Sequence, residues 1–200
     1  MRVTVIDYKA GNLASVLKVL RHLGAEPEVA DNPAPLVRAE RIILPGVGHF
    51  AATRRLDEIG LTNAIRVAIA SGTPFLGICV GMQWLYAGST EAPEQPGLGH
   101  FSDKCTRFPD GPEKVPHVGW NSLEIRFDSR LLSGIAPGDF VYFTHSFKAP
   151  VTADTAGATH YIEPFAAAVE RANVMGVQFH PELSAEAGLH ILKNFLEVSW

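Results

Sequence analysis

Cysteine is scarce: Cys79 and Cys105 are the only two in 200 residues, which excludes a disulfide framework. No Cys-x-x-Cys pair or His/Cys cluster offers metal-ligand spacing, so no metal is expected. Long apolar runs are missing as well. None approaches the roughly 18 residues of a membrane span, and the apolar start Val3 to Ile6 meets Asp7 before a signal-peptide core could form. The expectation is a soluble protein of a reducing, cytoplasmic compartment with no membrane contact. An excess of positive charge is also absent. The 17 Lys+Arg against 21 Asp+Glu leave a formal charge of -4, which argues against nucleic acid as a partner and against a basic face on anionic lipid. With 46% hydrophobic and 19% charged residues, disorder and coiled coil are excluded, and one globular domain spanning 1–200 is expected.

The first half alternates strand-like and helix-like segments. Arg2 to Ile6 is largely apolar and β-branched after its first residue, as suits a strand buried on both faces. Leu13, Val16, Leu17, Leu20 and Leu23 then recur at helical spacing, behind Asn12 as a plausible N-cap and ahead of Gly24 as a stop. Further strands are expected at about Glu26 to Ala30, Arg41 to Leu44 and Pro74 to Ile78, with helices near Phe50 to Ile59 and Leu61 to Ser71. From Gly88 to Pro112 a Gly/Pro-rich stretch reads as an extended surface loop. After it, Ser122 to Arg126, Phe140 to Thr144, Ala158 to Ile162, Ala166 to Glu170 and Val174 to Phe179 look like antiparallel meander strands. An amphipathic helix from Ala185 to Val198 closes the chain. The fold class is therefore α/β: three layers, with a mostly parallel central sheet flanked by helices and a smaller antiparallel region in the second half.

The sharpest local signal is Gly77-Ile78-Cys79-Val80-Gly81, at the junction of a buried strand and a helix over Val80 to Tyr86. A nucleophile on such a turn is held in a strained conformation, and small residues two positions to either side prevent collisions with the turn. The first N–H groups of the helix favour thiolate over thiol. A lone cysteine is more often a buried small hydrophobe; the flanking glycines reverse that reading for Cys79 and leave it in place for Cys105.

A cysteine nucleophile needs a base, and the base needs an orienting partner. Of eight histidines, His22 and His190 fall on helices, His49 and His100 in loops and His160 in a weak strand. His117 and His145 are left undecided. His180 differs: it ends the apolar run Val174 to Phe179, and Glu182 lies two residues on. A third element, Pro45-Gly46-Val47-Gly48, comes directly after the third strand. Gly46 to Ala51 formally matches a dinucleotide fingerprint, but that motif belongs after the first strand and wants an acidic residue roughly 20 positions on, whereas residues 66–71 contain none. An oxyanion hole is the better use, with the Val80 N–H and an N–H of the glycine loop converging on a developing O⁻.

Together these elements resemble the class I glutamine amidotransferases, which carry a G-x-C-x-G elbow and a His-x-Glu pair, and the likeness spans nearly the whole chain. Within that family the details are similar to the glutaminases that serve a cyclase in histidine biosynthesis. Residues 7–16, 45–48, 77–83, 115–121, 142–146 and 176–182 match family motifs in order, and Pro116-His-Val-Gly-Trp-Asn121 is the most specific of them. The resemblance implies Cys79 as nucleophile, His180 as general acid/base and Glu182 as its orienter. It also implies that Gly48, Gln83 and Ser146 help hold L-glutamine, that Val47 and Gly48 rearrange to complete the oxyanion hole, and that Trp120 and Asn121 lie toward a partner. No cofactor is implied. Lys9 stands where the family usually has glycine, Val80 where leucine is commoner, and Leu183 where a lysine usually succeeds the glutamate. Ammonia at neutral pH is almost wholly ammonium, and the chain has no phosphate-binding signature such as G-x-x-x-x-G-K-[ST]. The acceptor is therefore expected on another chain, which the resemblance gives as a (β/α)₈-barrel cyclase subunit in a heterodimer. Rival readings are a glutaminase serving an anthranilate or pyridoxal phosphate synthase, a flavodoxin-like binding module with a structural thiol, and an ester or peptide hydrolase.

Overall fold

The computed structural model describes residues 1–197. Its elements run β1 (Arg2–Ile6), α1 (Leu13–His22), β2 (Glu26–Ala30), β3 (Ile42–Gly46), α2 (Arg54–Glu58), α3 (Leu61–Ala70), β4 (Phe75–Cys79) and α4 (Val80–Trp84) in the first half. The second half holds β5 (Gly88–Ser89), β6 (Lys104–Arg107), β7 (His117–Ser122), β8 (Glu124–Ile125), β9 (Phe140–His145), β10 (Phe147–Lys148), β11 (Thr155–Tyr161), β12 (Glu163–Arg171), β13 (Val174–Val177) and α5 (Ala185–Glu197). The end of the expected last helix at Val198 lies outside the described residues.

An eight-stranded sheet in the order β2-β1-β3-β4-β13-β12-β11-β8 organises the molecule. Its first five strands run parallel, and β12, β11 and β8 continue it antiparallel. The α/β class and the mostly parallel sheet agree with the sequence. Every residue of β3 and β4 is buried, as continuous apolar strands covered on both faces require.

Four expectations are corrected. The Val174 to Phe179 strand is not purely part of a meander, because β13 pairs antiparallel with β12 on one edge and parallel with β4 on the other. The tight β12–β13 turn, with Ala172 at φ +52, fixes the first pairing. The second carries the strand into the parallel half. Residues 88–112 are not simply a surface loop: β5, β6 and β10 form a small sheet, and Leu98, Phe101, Cys105 and Phe108 are buried beneath the segment. The motif from Val115 to Asn121, read only as a signature, contains β7, which pairs with β9 in a separate two-stranded sheet. The expected helix from Phe50 to Ile59 is a 3₁₀ turn (Phe50–Thr53) running into α2. There the His49 ring caps the Ala51 N–H, Glu91 accepts from the Phe50 N–H, and the Thr53 hydroxyl donates to the Phe50 carbonyl, so side chains compete with the α-helical ladder.

Candidate active site

Cys79 is the last residue of the central strand β4. In the parallel register Gly46 lies beside Cys79 on one flank, and Val177 lies beside Ile78 on the other. The two neighbouring strands therefore deliver Val47-Gly48 and Gln178-Phe179-His180, the residues just past their ends, to either side of one sulfur. Cys79 takes φ +54, ψ −110, a left-handed-side backbone that costs a β-carbon-bearing residue about 1–3 kcal/mol. A Cβ on Gly77 or Gly81 would strike the Gly81 or Leu44 carbonyl oxygen, respectively, which is the steric reason for glycine on both sides of the elbow. Helix α4 is only five residues long, so its effect on the sulfur comes from free first-turn N–H groups rather than a long macrodipole.

His180 Nδ1 meets Glu182 Oε1 at 2.9 Å, with both side chains almost fully buried. The same Oε1 accepts a 3.2 Å hydrogen bond from Asn12 Nδ2. Asn12 does sit at the N-cap of α1, but its side chain makes no cap bond; the amide is directed at the carboxylate instead. The sequence reading missed that role because 170 residues separate the partners. Burial works to lower the His180 pKa, yet contact with the Cys79 sulfur and the hydrogen bond to Glu182, together with the charge on each, outweigh it and push the value up to about 10. His180 Nε2 is buried without a well-formed hydrogen bond, leaving that nitrogen for the sulfur and a substrate. Tyr8, beneath Gly46, has its hydroxyl raised above its ordinary pKa by burial and by the charge of Cys79.

A pocket of about 240 Å³ opens over the sulfur, lined by Val47, Gly48, Cys79, Val80, Gln83, Glu91 and residues 144–147 with Pro116. It is smaller than the roughly 300–1,000 Å³ typical of drug-sized ligands. Val47, Gly48, Val80, Gln83 and Ser146 thus share one wall system with Cys79. Gln83 spends both amide hydrogens internally, on the Phe147 carbonyl and on Gln178 Oε1, so it offers a ligand only its oxygen. Gln178 Nε2 in turn approaches the Cys79 sulfur at 3.6 Å. The Val47 N–H does not face the sulfur; it reaches the Ala10 carbonyl at 3.4 Å. Gly48, at φ +86 with open space where a Cβ would stand, leaves this loop free to turn.

Glu91 is the one carboxylate in the pocket wall among the described residues, and it was not singled out from the sequence. Only its neighbourhood of Gly and Pro stood out there, and a lone acidic residue in a loop carries no spacing signal. Trp120 and Asn121 separate by strand alternation. Trp120 is 51% exposed on the outer face of β7–β9, near Val118 and Phe140, while Asn121 turns to the inner face, donating to the His160 carbonyl and approaching His117. Lys9 has φ +68, which explains why glycine suits that position. Cys105 is fully buried and packs as a small hydrophobe.

The chain belongs to the class I glutamine amidotransferase family: the family described as glutamine amidotransferase class-I matches residues 4–198. Solved structures agree on the fold. A crystal structure of a glutamine amidotransferase superposes with a TM-score of 0.76 at 21% identity, covering 96% of this chain and 98% of that one. PurLQS from Thermotoga maritima gives 0.72 at 19% identity, over 98% and 97%. Closer in sequence is the imidazole glycerol phosphate synthase subunit HisH of Methanosarcina acetivorans, 45% identical over 200 residues that cover 98% of each chain. The subunit of the same name from Deinococcus radiodurans is 44% identical over 96% of this chain and 92% of its own.

Proposed function

We propose that this chain is the glutaminase subunit of an imidazole glycerol phosphate synthase, acting in histidine biosynthesis as one catalytic domain. The observation that carries the reading is a strained cysteine at a strand end, flanked by a glycine loop on one side and a buried His–Glu pair on the other, beneath a pocket of amino-acid size. Glu91 suits the α-ammonium group of a free amino acid. The rims of Gly48, Gln83 and Ser146 suit its carboxylate and side-chain amide.

Cys79, as thiolate, attacks the side-chain amide carbon of glutamine, and the carbonyl oxygen becomes an oxyanion facing the Val80 N–H. The Val47 N–H joins as the second donor once the glycine loop turns it away from Ala10. His180 gives its proton to the amide nitrogen as the C–N bond breaks and ammonia leaves. A water molecule, losing a proton to the same imidazole, then hydrolyses the thioester to glutamate and the free thiol. Glu182, held by Asn12, stabilises each imidazolium. No metal or organic cofactor enters these steps.

The partner in this reading is a (β/α)₈-barrel cyclase chain that receives the ammonia and releases imidazole glycerol phosphate and an aminoimidazole carboxamide ribonucleotide. The outer face of β7–β9, with Val118, Trp120 and Phe140 exposed, is the surface for it. That sheet is tied to the catalytic loop, since the His180 N–H donates to the Tyr142 carbonyl and the Tyr142 N–H to the Ser184 hydroxyl. The cytoplasm, where a catalytic thiol stays reduced, is the compartment that fits. In the complex, Cys79→Ala should abolish glutamine-dependent synthesis and leave ammonia-dependent synthesis intact; equal loss of both would refute the assignment. A glutaminase rate that rises when the cyclase chain is added supports the partner.

A further inference from the structure

Two buried histidines lie outside the proposed chemistry. His117 on β7 and His145 on β9 are cross-strand partners, 3% and 6% exposed, with His117 Nδ1 and His145 Nε2 3.3 Å apart. The ends of the chain of bonds they join set their tautomers. His145 Nδ1 lies 2.9 Å from the Phe147 carbonyl; a carbonyl only accepts, so this nitrogen carries the hydrogen. In a neutral ring His145 Nε2 then accepts, which makes His117 Nδ1 a donor and leaves His117 Nε2 to accept from Asn121 Nδ2 at 3.5 Å. The His117 ring is held flat between aromatics, stacking on Tyr161 at 4.0 Å and on Phe143 at 4.9 Å between centroids, whereas His145 meets Phe108, Phe143 and Phe165 at tilted or edge-on angles.

The Phe147 carbonyl at the end of this run is the same atom that accepts from Gln83, and Gln83 donates to Gln178, which donates to the Cys79 sulfur. One oriented set of hydrogen bonds therefore spans from Asn121, beside the exposed Trp120, to the pocket wall and its thiol. We propose that His117 and His145 are positioning residues for glutamine, a neutral pair in fixed tautomers that holds the Phe147 carbonyl and, through it, the Gln83 amide in the shape that binds substrate. Burial supports the neutral state. It pushes His117 down to about 4 and, with the nearby His117 and His180 charges and against the Phe147 hydrogen bond, His145 down to about 3. A proton added to His145 would sit on Nε2 and set two donors against each other at the 3.3 Å contact, and one added to His117 would sit on Nε2 and face the Asn121 amide donor at 3.5 Å.

The inference rests on the glutaminase reading, and the test separates the two. His117→Phe in the complex keeps a flat ring between Tyr161 and Phe143 but removes the donor. The KM for glutamine should rise on the order of tenfold, the equivalent of one broken buried hydrogen bond. kcat, ammonia-dependent synthesis and the alkylation rate of Cys79 by iodoacetamide should stay within about threefold, since His180 and the sulfur are untouched. His117→Asn, which restores a donor where Nδ1 stood, should return KM most of the way. An unchanged KM in His117→Phe, or equal defects in both variants, overturns the proposal. Nitrogen-15 spectra of the wild-type imidazoles need no variant to fold and no substrate. Both rings should be neutral with hydrogen on Nδ1, and an Nε2–H tautomer or an imidazolium at neutral pH in either ring overturns the proposal too. A wild-type complex that hydrolyses no glutamine would sink the glutaminase reading alone, leaving the tautomers to decide the pair.

Discussion

Single side chains set the reactivity here, and Asn12 shows how. Its amide supplies one of the two hydrogen bonds to Glu182 Oε1, the other coming from His180, while Oε2 of this buried carboxylate has none. Asn12→Ala leaves the charge less supported, and a lost hydrogen bond to a buried ion is worth about 1.5–3 kcal/mol. The kcat for glutamine should fall about tenfold or more, with ammonia-dependent synthesis unchanged; full activity would show that Asn12 does not hold Glu182. The raised His180 pKa makes a second prediction. Glutamine hydrolysis should lose its proton donor only as pH approaches about 10, and Cys79→Ala, which removes one of the two groups raising that pKa, should bring the imidazole titration down toward its ordinary range, as followed by NMR. At this scale the sequence was legible where chemistry needs a residue type at a short spacing: Cys79 between glycines, Glu182 two places after His180. Asn12 and Glu91 were not legible, because their partners are distant in the chain and meet them only in the folded sheet.

Among the elements, β1, α1 and β4 are where their apolar patterning places them, α1 ending before Gly24 and β4 at the elbow, whereas β2, with only Ala30 buried, is held as the edge strand by its parallel pairing with β1. The errors cluster where tertiary contact outvotes the local pattern. Residues 88–112 are rich in Gly and Pro, yet Leu98, Phe101, Cys105 and Phe108 are pulled into the core. β7 went unseen because His117, Gly119 and Asn121 occupy its inner face, where an isolated pattern wants aliphatics; the aromatic stack that accommodates His117 comes from other strands. The outward face of the same strand carries the element's own prediction. Trp120 is half exposed, with its ring edge-on to Tyr142 at 6.0 Å, and buried aromatics at an interface dominate its energy. If this face carries the proposed cyclase partner, Trp120→Ala should weaken binding of that chain by about 2 kcal/mol and leave the Tm of the free chain close to wild type. A large drop in Tm with unchanged affinity would make Trp120 a core residue instead.

For the molecule as a whole, the buried histidines pull stability in opposite directions as pH changes. His180 has a folded-state pKa of about 10, above its unfolded value near 6.5, so its contribution is complete below about pH 6.5 and is lost as the pH rises through about 10. His117 and His145 are held at about 4 and about 3. Between those values and about 6.5 the unfolded chain binds protons that the folded one refuses, so acidification favours unfolding. His145 alone should remove on the order of 2 kcal/mol by about pH 5, and His117 acts in the same direction. The urea midpoint should therefore decline on both sides of about pH 6.5 for different reasons, the acid side carried by the β7–β9 pair together with His100, which burial also shifts down, and the alkaline side by His180. His145→Gln should flatten the slope between about pH 6.5 and about 4.5 whatever it does to stability at neutral pH, and His180→Asn should flatten only the alkaline side. An acid slope that survives His145→Gln undiminished would mean that this ring is already protonated in the folded protein, contrary to its place between a carbonyl and a second imidazole.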